Sequence, residues 1–240
     1  MIKSLKVLYH RQMFFPGLLG IFVNPFFIAR LGLCNAMKEF APKLKGQLLD
    51  VGCGTKPYQT LFYVDAYIGL DIDSVASRKR AIADHFYNGN AFPFPNDSFD
   101  AILCNQVLEH VFNPDEFLGE IARVLKPGGK LLLTVPFVWD EHEQPYDYAR
   151  YSSFGLRALL EKQGLRIDQH KKLGADASIL FQLANAYLFK IVQSLPRSFQ
   201  LLLTTSVMAL ISMLGVFARW LLPSNSDLFL DHVVLAERVS

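Results

Sequence analysis

Leu48-Leu49-Asp50-Val51-Gly52-Cys53-Gly54-Thr55 reads as a buried strand that ends in a carboxylate and runs into a two-glycine turn. A second strand end carrying an acid, Tyr67-Ile68-Gly69-Leu70-Asp71, follows at the spacing of about 20 residues found in nucleotide-binding βαβ units. Glycine at such a turn lets the backbone approach a ligand, and the acid ending the second strand suits a ribose diol. Asp50 decides which ligand. A dinucleotide would set its pyrophosphate at this turn, over the positive end of the next helix. A carboxylate two residues before the first glycine repels that group but holds an ammonium. Pro57 stands where a third fingerprint glycine would be. Adenosine joined to an amino acid fits these residues better than NAD, which Asp50 and Pro57 disfavour.

The 240-residue chain suffices for one α/β core with additions. Hydrophobic residues make up 51% and charged residues 19%, a greasy balance for a soluble enzyme. With a net charge of +2 and no long basic run, no nucleic-acid partner is expected. Cys34, Cys53 and Cys104 read as free thiols of a reducing compartment, without a zinc-binding spacing. The N-terminal stretch carries Pro16 and Pro25 and no cleavage-site pattern, so a cytoplasmic location is expected.

From Pro25 the spacing of Phe27, Leu31, Cys34, Met37, Ala41 and Leu44 predicts a helix, whereas residues 1–24 predict little. Strands are expected at Gln47–Val51, Ala66–Ile72, His85–Tyr87, Phe99–Cys104 and Lys130–Val135, with a short helix near Tyr58–Phe62. Asn113 as cap, Pro114 at the first position, and Asp115 and Glu116 in the first turn start a helix that Lys126-Pro127-Gly128-Gly129 stops. Ser152 or Ser153 caps another, ending at Gly164, before a polar edge strand at Leu165–Lys172. Alternating strands and helices make the expected fold α/β, a doubly wound and mostly parallel sheet.

Leu-Asp-Val-Gly-Cys-Gly, Gly-Leu-Asp, Phe-Pro-Phe-Pro-Asn-Asp-Ser-Phe-Asp, Val-Leu-Glu-His-Val and Arg-Val-Leu-Lys-Pro-Gly-Gly occur in this order over residues 46–170. In that order they resemble class I S-adenosylmethionine-dependent methyltransferases of the type 11 group. The resemblance implies a seven-stranded, Rossmann-like sheet whose last two strands pair antiparallel, with Asp231–Val239 beside 165–172. It also implies S-adenosyl-L-methionine as cofactor. Asp50, Gly52, Cys53 and Gly54 would face its methionine end, Asp71 and Ile72 its ribose, and Asn90 and Ala91 its adenine. Asn105 and Gln106 end the fourth strand at the ligand-binding edge. Where the family usually has an aspartate for the adenine amino group, this chain has Asn88-Gly89-Asn90-Ala91, whose amides accept without charge.

The acceptor side is expected in the loop Phe137–Tyr151, dense in aromatic and titratable groups after a central strand. His142 is the leading base, His110 its rival, and Tyr146, Tyr148 and Arg150 would orient a polar or anionic acceptor. Glu141, His142 and Glu143 are adjacent in sequence and diverge in direction, so no metal is expected. Four regions are expected: an apolar N-terminal segment and helix (1–45), the core (46–174), a hydrophobic insert (175–223) and the last strand (224–240). Phe199–Ala218 has no charge over 20 residues, enough to span a bilayer. A single span would part the last strand from its partner, so a helical hairpin, Ala177–Gln193 and Phe199–Leu222, is expected instead. Such an insert suits a cap, a subunit interface or peripheral contact with the membrane's cytoplasmic face. The reaction expected is methyl transfer to a small or lipid-linked acceptor, through oxygen. A non-catalytic scaffold that keeps the fold is the alternative, and it leaves the 137–151 loop without a purpose.

Overall fold

A computed structural model describes residues 2–239. Seven strands form one mixed sheet: β1 (Gln47–Val51), β2 (Ala66–Ile72), β3 (His85–Tyr87), β4 (Phe99–Asn105), β5 (Leu125–Pro136), β6 (Leu165–Leu173) and β7 (Asp231–Arg238). Their order is β3-β2-β1-β4-β5-β7-β6. The β2–β1, β2–β3, β1–β4 and β4–β5 pairs are parallel. The β6–β7 pair is antiparallel: Leu230 N donates to Leu173 O at 2.8 Å, and at the other end Val239 N donates to Gly164 O at 3.0 Å. The expected fold class and its last strand pair are both present.

The apolar runs explain this arrangement. β1, β4 and β5 are buried along most of their length, as parallel strands covered on both faces must be. Leu49, Val51, Ile102, Leu131 and Leu133 pack with Phe117, Leu118, Ile121 and Val124 of the helix Pro114–Val124 in one core. The chain runs outward from β1 through β2 to β3, then returns to β4 on the other side of β1. The carboxyl ends of β1 and β4 therefore flank the point where the winding reverses, the ligand-binding place of open α/β sheets.

Two motifs receive a structural meaning. Arg123 donates through Nε and Nη2 to Glu120 at 2.7 Å each, through Nη1 to Phe94 O at 2.8 Å, and through Nη2 to Phe92 O at 3.1 Å. Glu120 in turn accepts from Phe92 N at 2.6 Å. The pair thus fastens Phe-Pro-Phe-Pro to the helix that carries Arg-Val-Leu, with a planar fork that lysine lacks.

Some local expectations differ from what is found. β5 begins at Leu125, five residues early: Phe99 faces Leu125 but Ala101 faces Lys130, so Lys126–Gly129 bulges out between them. Gly128, at φ +75°, permits that excursion. Asn113 occupies the cap position without capping, because at ψ 77° its amide meets Glu116 instead. Ser152, at ψ 161°, does cap, accepting from Gly155 N at 3.2 Å. Residues Ile2–Phe14 form a helix that the sequence pattern did not announce. The predicted helix after Pro25 runs Phe27–Phe40 and continues as a 3-10 turn, with Leu31 only half-buried.

The chain divides into two compact units, one of residues 1–36, 138–140 and 172–231, the other of 37–137, 141–171 and 232–240. In the first, helices cover Ser178–Val192 and 197–221, the latter through a π-helical turn at Thr204–Met208. Buried amides hold this unit together. Gln182 accepts from Ala29 N at 3.1 Å and donates to Pro25 O at 3.2 Å, while Asn185 donates to Met208 O at 3.0 Å and to Ser212 Oγ at 2.9 Å. Gly215 sits so close to Ile28 and Phe181 that a Cβ would lie 2.8 Å from each. The 25-residue helix is long and apolar enough to cross a membrane by length and composition. Leu201, Leu202, Leu210, Phe217, Trp220 and Leu221 are exposed on it.

Candidate functional site

Asp50 lies on β1 with Gly69 of β2 and Leu103 of β4 beside it. Its side chain is buried, and Tyr67 donates a 2.7 Å hydrogen bond from its hydroxyl. Burial pushes the carboxyl up to about 7, against the pull of the Tyr67 bond and the Lys56 charge. The Tyr67 hydroxyl is itself pushed up, first by burial and then by the Asp50 charge. The motif left this partner of Asp50 unmarked; the place of Tyr67 in β2, two residues before Gly69, was its signal.

The turn after β1 is built by backbone geometry. Gly52 (φ +70°) and Cys53 both donate N–H to Leu70 O, at 2.8 and 3.1 Å. A Cβ on Gly52 would lie 2.4 Å from Val107 Cγ2, so only glycine fits under that side chain. Gly54 (φ +51°) has nothing but Gly52 O near its missing Cβ, at 4.0 Å, and presents backbone to open space. Burial raises the Cys53 thiol to about 12, which makes it inert as a nucleophile.

Asp71 is next to last in β2, its Oδ1 accepting from Ile72 N at 2.9 Å and its Oδ2 from Arg80 Nη2 at 3.0 Å. A carboxylate has lone pairs to spare beyond these two bonds. Ile72 is exposed beside it, and the 88–91 loop comes close: a Cβ on Gly89 would lie 3.4 Å from Ile72 Cδ1. Asn90 and Ala91 are exposed in that loop. At the end of β4, Thr134 donates to Asn105 Oδ1 at 2.7 Å, and Gln106 (φ +57°) donates its N–H to Thr134 O at 3.0 Å. A non-glycine residue in the left-handed region here is held by β5 through Thr134.

The residues expected on the acceptor side also converge. The rings of His110 and His142 lie 4.8 Å apart, nearly perpendicular. His110 Nδ1 is 2.8 Å from Tyr146 O, and its Nε2 is 3.8 Å from the buried Glu109 carboxylate. His142 donates its backbone N–H to Asp147 at 2.9 Å, and its Nδ1 lies 3.3 Å from the same oxygen. Burial works to raise the Asp147 carboxyl, but bonds from Arg150 and the His142 backbone outweigh it and hold it at about 2. Arg150 grips Asp147 with both terminal nitrogens, at 2.6 and 2.7 Å, so its guanidinium orders the loop. Tyr148 N and Ala149 N fix the loop onto Glu109 O, at 2.8 and 3.2 Å. The Tyr146 side chain is exposed. Glu109 and Asp147 join the site without having been singled out by the sequence pattern, though Glu109 stands within a recognised motif.

The raised Asp50 carboxyl has a consequence for stability. Its protonated form is favoured in the fold, so its contribution is fully present below about pH 4 and lost as pH rises to about 7. That displacement from the ordinary carboxyl value corresponds to up to about 4 kcal/mol. Asp50→Asn should therefore leave stability at pH 4 nearly unchanged and raise it at pH 8, measured by urea unfolding of the ligand-free protein. Equal stabilities at pH 8 would show that the carboxylate is adequately solvated.

With this geometry in hand, residues 49–133 match the family described as methyltransferase domain. An uncharacterised protein of Methanocaldococcus jannaschii is 36% identical over 104 residues, covering 42% of this chain and 49% of that one. A fatty-acid O-methyltransferase of Mycolicibacterium smegmatis is 39% identical over 100 residues, 37% of this chain and 36% of that one. The chain spans about half the length, or less, of the curated relatives it matches. Among solved structures, phosphoethanolamine N-methyltransferase 2 of Haemonchus contortus, in complex with S-adenosyl-L-methionine, superposes with a TM-score of 0.55. At 18% identity over 92% of this chain and 56% of that one, the likeness shows the fold alone. Fold, motif order and family match agree: over residues 49–133 this chain is similar to methyltransferase domains, in keeping with the class I, S-adenosylmethionine-dependent, type 11 resemblance of its motifs.

Proposed function

We propose that this protein transfers the methyl group of S-adenosyl-L-methionine to an oxygen of a small or lipid-linked acceptor. The observation that carries the reading is Asp50, a buried carboxylate at the switch point of the sheet. Its protonation is favoured until a cation arrives, and the ammonium of the methionine moiety is such a cation. Asp50 would hold that ammonium beside the half-buried backbone of Gly54, Asp71 would accept the ribose hydroxyls, and Ile72, Asn90 and Ala91 would line the adenine. Asn105 and Gln106, fastened to Thr134, would close the methionine side.

When bound, the cofactor supplies a sulfonium-activated methyl carbon. What remains for the chain is to align the acceptor, exclude water and take a proton. His110 and His142, with Tyr146 near them, form the place for the last task. Methyl-labelled cofactor incubated with the protein and a bacterial lipid extract should label organic-phase material. His142→Ala should lower that rate at least tenfold with little change in cofactor affinity. Collapse of cofactor binding in this variant would make the loop structural.

The lipid-linked reading draws support from the exposed apolar side of the 197–221 helix, in a chain whose relatives include a fatty-acid O-methyltransferase. Each such side chain buried in lipid contributes about 1.5–3 kcal/mol. That is enough for reversible attachment to the cytoplasmic face. The protein should co-sediment with phosphatidylcholine–phosphatidylglycerol vesicles, and replacing Leu202, Leu210, Phe217 and Trp220 together by serine should abolish this while sparing cofactor binding. Unchanged sedimentation of the variant would place the attachment elsewhere.

A further inference from the structure

We propose that Glu109, His110 and His142 form a binding site for a borderline divalent metal ion such as zinc. One ligand atom from each lies within 4.8 Å of the others. Sequence adjacency excluded a cluster of Glu141, His142 and Glu143, but the fold assembles a different one. Glu109 and His110 come from the 3-10 turn after β4, and His142 comes from the loop after β5.

The surroundings prepare each ligand. Tyr146 O can only accept, so His110 Nδ1 carries the proton at that 2.8 Å contact and Nε2 keeps its lone pair. That Nε2 is the atom 3.8 Å from Glu109 Oε1. His142 Nδ1 lies 3.3 Å from Asp147 Oδ2 and 3.4 Å from Arg150 Nη2, which favour opposite tautomers. A cation at Nε2 selects the tautomer whose Nδ1–H faces the Asp147 carboxylate. Asp147 is fixed for this by the two-pronged Arg150 bond. A backbone carbonyl behind one imidazole and a carboxylate behind the other is the outer shell that orients metal-binding histidines. Glu109, fully buried, supplies the negative charge.

Two imidazoles and one carboxylate suit zinc or a neighbouring first-row ion better than magnesium or calcium, which prefer all-oxygen shells. Tetrahedral ligands at about 2.0–2.2 Å from zinc stand about 3.3–3.6 Å apart, so the site needs only modest closure. Three protein ligands leave a fourth position open; an acceptor hydroxyl there would be acidified by the ion and lose its proton to solvent, a role that replaces proton uptake by the imidazoles when the metal is bound. That last consequence rests on the methyl-transfer reading above; metal binding itself does not.

Metal-stripped full-length protein titrated calorimetrically with zinc chloride should bind one ion per chain. His110→Ala and His142→Ala should each abolish saturable binding, and Asp147→Asn should weaken it about 10- to 100-fold. Glu141→Gln, outside the cluster, should bind as the wild type does. Cofactor affinity measured on the same variants reports whether they fold and whether the methyltransferase reading stands, independently of the metal. X-ray absorption of the zinc-loaded wild-type protein needs no variant and should show two imidazole nitrogens. Absence of saturable zinc binding by the wild type, or a metal shell without imidazole, would overturn the proposal.

Discussion

A carboxylate buried at the centre of the sheet is the constraint around which the ligand side of this protein is arranged. Asp50 has strands on both sides and one direct side-chain donor, Tyr67. A charge in that position is costly until it is matched, which is why its carboxyl titrates near 7. The fold tolerates the cost where a ligand can relieve it. The glycines that follow keep the space beyond β1 clear, with Gly52 tucked beneath Val107 and Gly54 facing outward. Asp71, at the end of the adjacent strand, places a second carboxylate at the same edge of the sheet.

The opposite side of the site depends on anchoring. The 137–151 loop would be a mobile connection if its charges were merely solvated. Instead, Asp147 and Arg150 lock to each other, and Tyr148 and Ala149 hang from the Glu109 carbonyl. This brings His142 to His110 across 32 residues of sequence. The Glu120–Arg123 pair does comparable work for the Phe-Pro-Phe-Pro segment, replacing backbone partners that an irregular stretch cannot supply for itself.

Much of the fold was legible because parallel strands buried on both faces read as near-continuous apolar runs, as Leu48–Val51 does apart from Asp50 and Leu131–Val135 apart from Thr134. The boundary of β5 was not, since Pro127 and the glycines that normally end a helix here also form a bulge inside a strand. Asn113 misled for a related reason: residue type suggests a cap, but ψ decides where the amide points. The geometry of the candidate site was legible where motif and strand end coincide, in the buried Asp50, the tight turn at Gly52 and the strand-end position of Asp71. Tyr67, Thr134 and Asp147 were hidden because they act through other residues, and such partnerships leave no spacing in the sequence. The helix at Ile2–Phe14 lacks acidic residues in its first turn, so no start signal marked it.

The central claim is that the buried acid is matched by an ammonium-bearing nucleoside ligand. Isothermal titration of the purified protein with S-adenosyl-L-methionine and, separately, with NAD tests it most directly. The account predicts saturable 1:1 binding of the former that tightens between pH 6 and pH 8 as Asp50 ionises, and no saturable binding of NAD. Saturable NAD binding, or no heat with S-adenosyl-L-methionine at pH 8, would contradict it.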